Sequence, residues 1–119
     1  MTMILVVEDE SLIRMSIADH LEESGFDVLE ARDADQALEL LIKNPGISII
    51  FTDVDMPGSM DGIALAQLVR DRWPPIRVFV TSGLWRLNGD ELPDQSVFIP
   101  KPYNADELAR QFQATRNLL

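Results

Sequence analysis

Short apolar runs rich in β-branched residues alternate with stretches of helical period along this chain, and that alternation leaves very few folds open. "MILVV" (Met3–Val7) is a continuous apolar run of the kind that lies buried on both faces of a sheet. "SLIRMSIADHLEESG" follows, with Ile13, Ile17 and Leu21 at four-residue spacing and Gly25 placed as a helix stop. "FDVLEA" is a second strand. "DADQALELLIKNPG" is a second helix, in which Asp33 and Gln36 form a capping pair and Pro45 and Gly46 end the run. "ISIIFT" (Ile47–Thr52) and "DGIALAQLVRDRW" (Asp61–Trp73) are the third strand and helix. "IRVFVTS" (Ile76–Ser82) is the fourth strand and "SVFI" a short fifth. A last helix, "NADELARQFQATRNLL", opens on Asn104 as its cap.

One interval breaks the pattern. Between Gly83 and Ser96 lies "GLWRLNGDELPDQS", with Gly89 and Pro93 inside it, so the fourth helix is expected to be short or irregular. Five βα units, one of them weak, imply a parallel sheet with helices on both faces: a doubly wound α/β domain. At 119 residues the chain is one domain, 1–119.

Sheets of this kind bind ligands outside the carboxyl ends of their strands. The first strand ends in Glu8 and Asp9, the third in Asp53, the fourth in Thr81 and Ser82, and the fifth just before Lys101. Crowded carboxylates repel, and one takes up a proton unless a cation sits among them. A hard divalent ion suits such oxygen ligands, and Mg²⁺ typically binds through about one or two carboxylates, waters and a phosphate oxygen. Lys101 is a mobile point charge suited to a phosphoryl oxygen. Thr81 can donate a hydrogen bond to another, and Asp53 can attack phosphorus to give an acyl phosphate. Phosphoryl transfer needs mostly positioning and charge neutralisation. Taken singly, an acid at a strand end is a turn former or a cap, a lysine is a surface residue and a threonine a strand residue. Their coincidence at four strand ends favours chemistry.

Charge narrows the partners. Twenty acids against 10 bases give a net charge of −10, and no cluster of Lys and Arg offers a footing for nucleic acid. With no cysteine, disulfides, thiol catalysis and cysteine-ligated zinc are excluded. No apolar run approaches the roughly 20 residues of a membrane span. "MTMILVVEDE" has no basic region ahead of its apolar run, so it reads as a core strand rather than a signal peptide. A cytoplasmic protein with no membrane and no direct nucleic-acid partner is expected.

"VVEDE", "FTDVDMPG" with "MDG" shortly behind it, "VTSG" and "FIPKPY", in this order and spacing, resemble the receiver domain of two-component response regulators from end to end. The resemblance implies a flavodoxin-like sheet of order 2-1-3-4-5. It implies that Asp53 accepts a phosphoryl group from a sensor histidine kinase or a histidine phosphotransfer protein. Mg²⁺ (or Mn²⁺) is then ligated by the carboxylates of Asp9 and Asp53 and the backbone carbonyl of Asp55, with Glu8 supporting it through water. Thr81 and Lys101 contact the phosphoryl oxygens, Phe98 is the switch aromatic that turns inward when Thr81 moves, and the Lys101–Pro102 bond is cis. Such a domain assists its own phosphorylation and dephosphorylation, turns over no separate substrate, and alters its binding to a downstream protein. Because the sequence ends at Leu119, directly after the last helix, it reads as a stand-alone switch, a monomer or a phosphorylation-dependent dimer. A phosphate sink and a receiver excised from a longer protein are the variants of that reading.

Several residues need separate placement. "MPGSMDG" holds one residue more than the commonest receiver pattern, with Met56 and Pro57 expected to anchor the loop by packing and Gly58 and Gly62 to relieve backbone strain. The irregular 83–96 interval falls where many receivers present a signalling face. Phe98 lacks the hydroxyl of a tyrosine, so its switching rests on packing. Trp73 and Trp85 read as packing residues, Trp85 also as a partner surface, and His20 as a surface residue. Two rivals come from other classes. "DVD" at a strand end is similar to the start of haloacid-dehalogenase-like enzymes, which would make this a Mg-dependent aspartyl-phosphate phosphatase or phosphotransferase; those chains carry the motif on the first strand and add a cap. A flavodoxin-like FMN module would need a hydroxyl- and glycine-rich loop where this chain has "EDES".

Overall fold

The computed structural model describes residues 2–83 and 92–117. Its elements run β1 (Met3–Val7), α1 (Ser11–Glu23), β2 (Asp27–Ala31), α2 (Ala34–Lys43), β3 (Ile47–Asp53), α3 (Gly62–Arg72), β4 (Arg77–Ser82), β5 (Val97–Pro100) and α4 (Ala105–Arg116). All five strands are parallel, in the order β2-β1-β3-β4-β5. The doubly wound α/β architecture read from the alternation is therefore the fold. The expected short or irregular fourth helix and Trp85 fall largely on residues 84–91, which lie outside the described residues.

The alternation of side chains along each strand feeds two cores, one on each face of the sheet. Leu5 and Val7 of β1, Ile50 of β3, and Val78 and Val80 of β4 join Ala37 and Leu41 of α2 and Leu65 and Val69 of α3. The neighbours Ile4, Val6, Ile49, Phe51 and Phe79 point the other way, onto Ile17 and Leu21 of α1 and Leu108 and Phe112 of α4. Phe112 is the hub of that second core. Its ring meets Phe79, Phe51 and Phe26 edge-on at 4.8, 5.7 and 6.4 Å between centroids.

Helix ends follow the local chemistry. Asp33 caps α2 by accepting the Gln36 N–H at 2.9 Å, while Gln36 Oε1 accepts the Arg32 N–H at 2.8 Å. Asp61 and Asn104 cap α3 and α4 in the same way. Gly25 ends α1 at φ +97°, a left-handed conformation that favours glycine. Three expectations are corrected. Ile13 is exposed at 39 %, and Ala18 joins Ile17 and Leu21 as the buried stripe instead. Pro57 is exposed, so Met56 and Met60 alone pack the loop against the core. Gly58 does adopt φ +106°, but Gly62 has no such strain; a side chain there would strike the backbone of Asp53 and Val54. His20 sits on the surface yet is not solitary: its Nε2 lies 2.9 Å from Asp106 Oδ1, linking α1 to α4.

Candidate functional site

The parallel register carries the acidic and hydroxyl residues to one edge. Thr81 stands directly beside Asp53 on neighbouring strands, and Val54 N–H donates to Thr81 O at 2.9 Å. Glu8 is fixed to β2 by its N–H, which donates to Ala31 O at 3.0 Å, and its Oε2 accepts the Glu10 N–H at 3.0 Å. Beyond β5, Lys101 N–H donates to Ser82 O at 3.1 Å, and the Lys101–Pro102 peptide bond is cis. Lys101 Nζ lies 2.6 Å from Asp53 Oδ2, while Asp53 Oδ1 accepts the Asp55 N–H at 3.0 Å.

Glu8, Asp9 and Asp53 each bring one carboxylate oxygen within 4.8 Å of the others. Glu8 and Asp53 are buried at 4 % exposure, and Asp9 is at the surface. Burial pushes the Glu8 carboxyl up to about 7. The Glu10 N–H opposes that rise, while the Asp9 side chain and the Asp53 charge add to it. Burial lowers the Lys101 ammonium, but its hydrogen bond to Asp53 and the surrounding carboxylates outweigh that and raise it, so it stays charged. An all-oxygen, anionic set of this kind fits a hard divalent cation, Mg²⁺ or Mn²⁺. The Thr81 hydroxyl adds a second sign of a ligand. Its Oγ1 is buried and finds no hydrogen-bond partner among the described residues, a costly state unless something else accepts from it.

Asp55, expected to contribute its backbone carbonyl, and Phe98 lie beside this group of carboxylates. The Asp55 carboxylate is exposed and turned toward β4, where Oδ2 accepts the Ser82 hydroxyl at 3.3 Å. Phe98 is half-buried on β5 beside Val80. Sequence reasoning assigned no role to two others. Tyr103 packs edge-on against Phe51 at 5.5 Å, and burial, then Glu8 and Asp53, raise its hydroxyl. Arg14 reaches from α1 to Glu8 O at 2.9 Å and to Glu30 Oε1 at 3.2 Å. The only sequence signal for Arg14 is a lone cation one turn past an acidic pair. Gly62, expected only to relieve strain, opens α3 with its N–H donating to Val54 O at 2.9 Å, tight against the end of β3.

The response regulator receiver domain profile matches residues 4–113. This chain belongs to that family. Among relatives of the receiver, the nitrogen assimilation regulatory protein NtrX of Azorhizobium caulinodans is 36% identical over 110 residues, 88% of this chain and 24% of its own length. The transcriptional regulatory protein CpxR of Escherichia coli is 33% identical over 116 residues, 96% of this chain and 49% of its own length. The chain thus spans about a quarter to a half of these curated relatives. The crystal structure of the receiver domain from the hybrid histidine kinase CckA superposes with a TM-score of 0.80 at 33% identity, covering 94% of this chain and 96% of that one. Receiver domains serve phosphorylation-dependent signalling and interact with histidine kinases or phosphotransfer proteins. The aspartyl-phosphate phosphatase alternative is not favoured.

Proposed function

We propose that residues 1–119 form a cytoplasmic phosphorylation switch in which Asp53 is the phosphoacceptor. The carboxylates of Glu8, Asp9 and Asp53 and the Asp55 carbonyl would hold Mg²⁺, or Mn²⁺, which when bound neutralises the crowded acids and the incoming phosphoryl oxygens. The donor is the phosphohistidine of a sensor histidine kinase or phosphotransfer protein. An Asp53 oxygen bonds to phosphorus as the P–N bond to the donor imidazole breaks, and the bonding pair stays on the imidazole nitrogen. Lys101 exchanges Asp53 Oδ2 for a phosphoryl oxygen, and the Thr81 hydroxyl donates to another. Phe98 responds by packing, and a downstream protein reads the changed surface. No separate substrate is turned over.

The observation that carries this reading is the buried Thr81 hydroxyl beside Asp53, without a partner among the described residues, with Lys101 already on that carboxylate. Intact-mass analysis after incubation with Mg²⁺ and acetyl phosphate tests it. One phosphoryl adduct is expected, dependent on Mg²⁺ and absent in Asp53→Asn. An adduct that persists in Asp53→Asn would move the acceptor elsewhere.

A further inference from the structure

We propose that Arg14 is a positioning residue for the divalent-cation site, acting through the backbone of Glu8. This rests on the metal reading above.

The Glu8 backbone is held from both sides. Its N–H is fixed to Ala31 O of β2, and its carbonyl accepts a hydrogen bond from Arg14 Nη1 at 2.9 Å. The same guanidinium places Nε 3.2 Å from Glu30 Oε1, also on β2, with only 18 % of the Arg14 side chain exposed. Arg14 is itself set by α1, its N–H donating to Glu10 O at 2.9 Å. The grip therefore joins the first turn of α1, the β1–α1 turn and the edge strand. It fixes the peptide plane between Glu8 and Asp9, the two residues whose side chains enter the acidic trio with Asp53. It also draws the Glu8 carbonyl toward the guanidinium. Glu8, meanwhile, bends its own carboxylate back to the Glu10 N–H.

A fork with two fixed acceptors does this and an ammonium does not, because the planar guanidinium presents its donors at set angles. Outer partners that orient metal ligands typically contribute about 10- to 100-fold in metal affinity.

The test is Mn²⁺ binding to the full chain, followed by electron paramagnetic resonance titration, alongside the amide chemical shifts of Glu8, Asp9 and Asp53 in metal-free protein. Arg14→Gln is expected to raise the Mn²⁺ dissociation constant about tenfold or more and to shift the Glu8 and Asp9 amides, with the unfolding midpoint in chelator close to that of the parent. Arg14→Lys should recover only part of the affinity. Glu30→Ala, which keeps Arg14 but removes its anchor, should weaken binding in the same direction and serves if Arg14→Gln does not fold. An unchanged dissociation constant in these variants overturns the proposal. Full recovery by Arg14→Lys overturns it too, since charge alone would then suffice. If the parent protein binds no Mn²⁺, the metal reading itself has failed; binding that is lost in Asp53→Asn but indifferent to Arg14 leaves that reading standing and removes this inference alone.

Discussion

In the proposed switch, Thr81 carries a hydroxyl that is poor for the resting fold and needed by the modified one. Its hydroxyl is buried at 2 % exposure without a partner among the described residues, and an unpaired buried hydroxyl costs on the order of 1–3 kcal/mol. Thr81→Val keeps the branched shape and removes the orphan. Urea unfolding of the unphosphorylated protein should show the Thr81→Val variant unchanged or more stable by about 1 kcal/mol. The extra stability that the parent gains with acetyl phosphate and Mg²⁺ should shrink in the variant. A variant that is less stable at rest would mean that the hydroxyl already has a partner. Lys101 is the complementary case: its ammonium neutralises Asp53 at rest and, in the proposed switch, is shared with the phosphoryl group.

At the scale of elements, Phe112 ties α4 to the sheet through Phe79 of β4 and Phe51 of β3, and to the turn before β2 through Phe26. Phe112→Ala should cost about 3–5 kcal/mol, read from denaturant midpoints, and the adduct on the folded fraction should still form. The elements themselves were legible because continuous apolar runs and period-3.6 stretches differ sharply, and because a parallel sheet lines up every carboxyl end. That alignment is why Glu8, Asp9, Asp53, Thr81 and Lys101 could be gathered from their positions alone. Periodicity does not reveal which positions of a face are covered, so Ile13 counted with Ile17 although it is exposed. Arg14 stayed hidden because its carboxylate partner, Glu30, is 16 residues away on another element. Gly62 was noticed for the wrong reason: its close approach to Asp53 exists only once α3 is docked on β3.

For the whole molecule, the acidic edge links stability to pH and to metal. The folded state holds the Glu8 proton up to about pH 7, whereas the unfolded chain releases it near the ordinary carboxylate value. That contribution to stability is fully present below the unfolded value and is lost as pH rises toward 7. Metal-free protein should therefore lose thermal stability between about pH 5 and 7, and Glu8→Gln should flatten that slope. With the cation present the trend is opposed, since metal replaces the proton and binds more tightly as pH rises; at a concentration about 100 times its dissociation constant it adds about 2.7 kcal/mol. Melting curves with chelator and with Mg²⁺ across this range check both arms. The closure of Val54 O on Gly62 N–H at 2.9 Å has a different reach. It pins both ends of the exposed loop that carries the extra residue. Lengthening a loop between fixed ends adds closure entropy only slowly. Descendants of this chain can lengthen the loop between Pro57 and Met60 without moving Asp53 as long as the left-handed position 58 keeps its glycine, while position 62 has an alphabet of one letter.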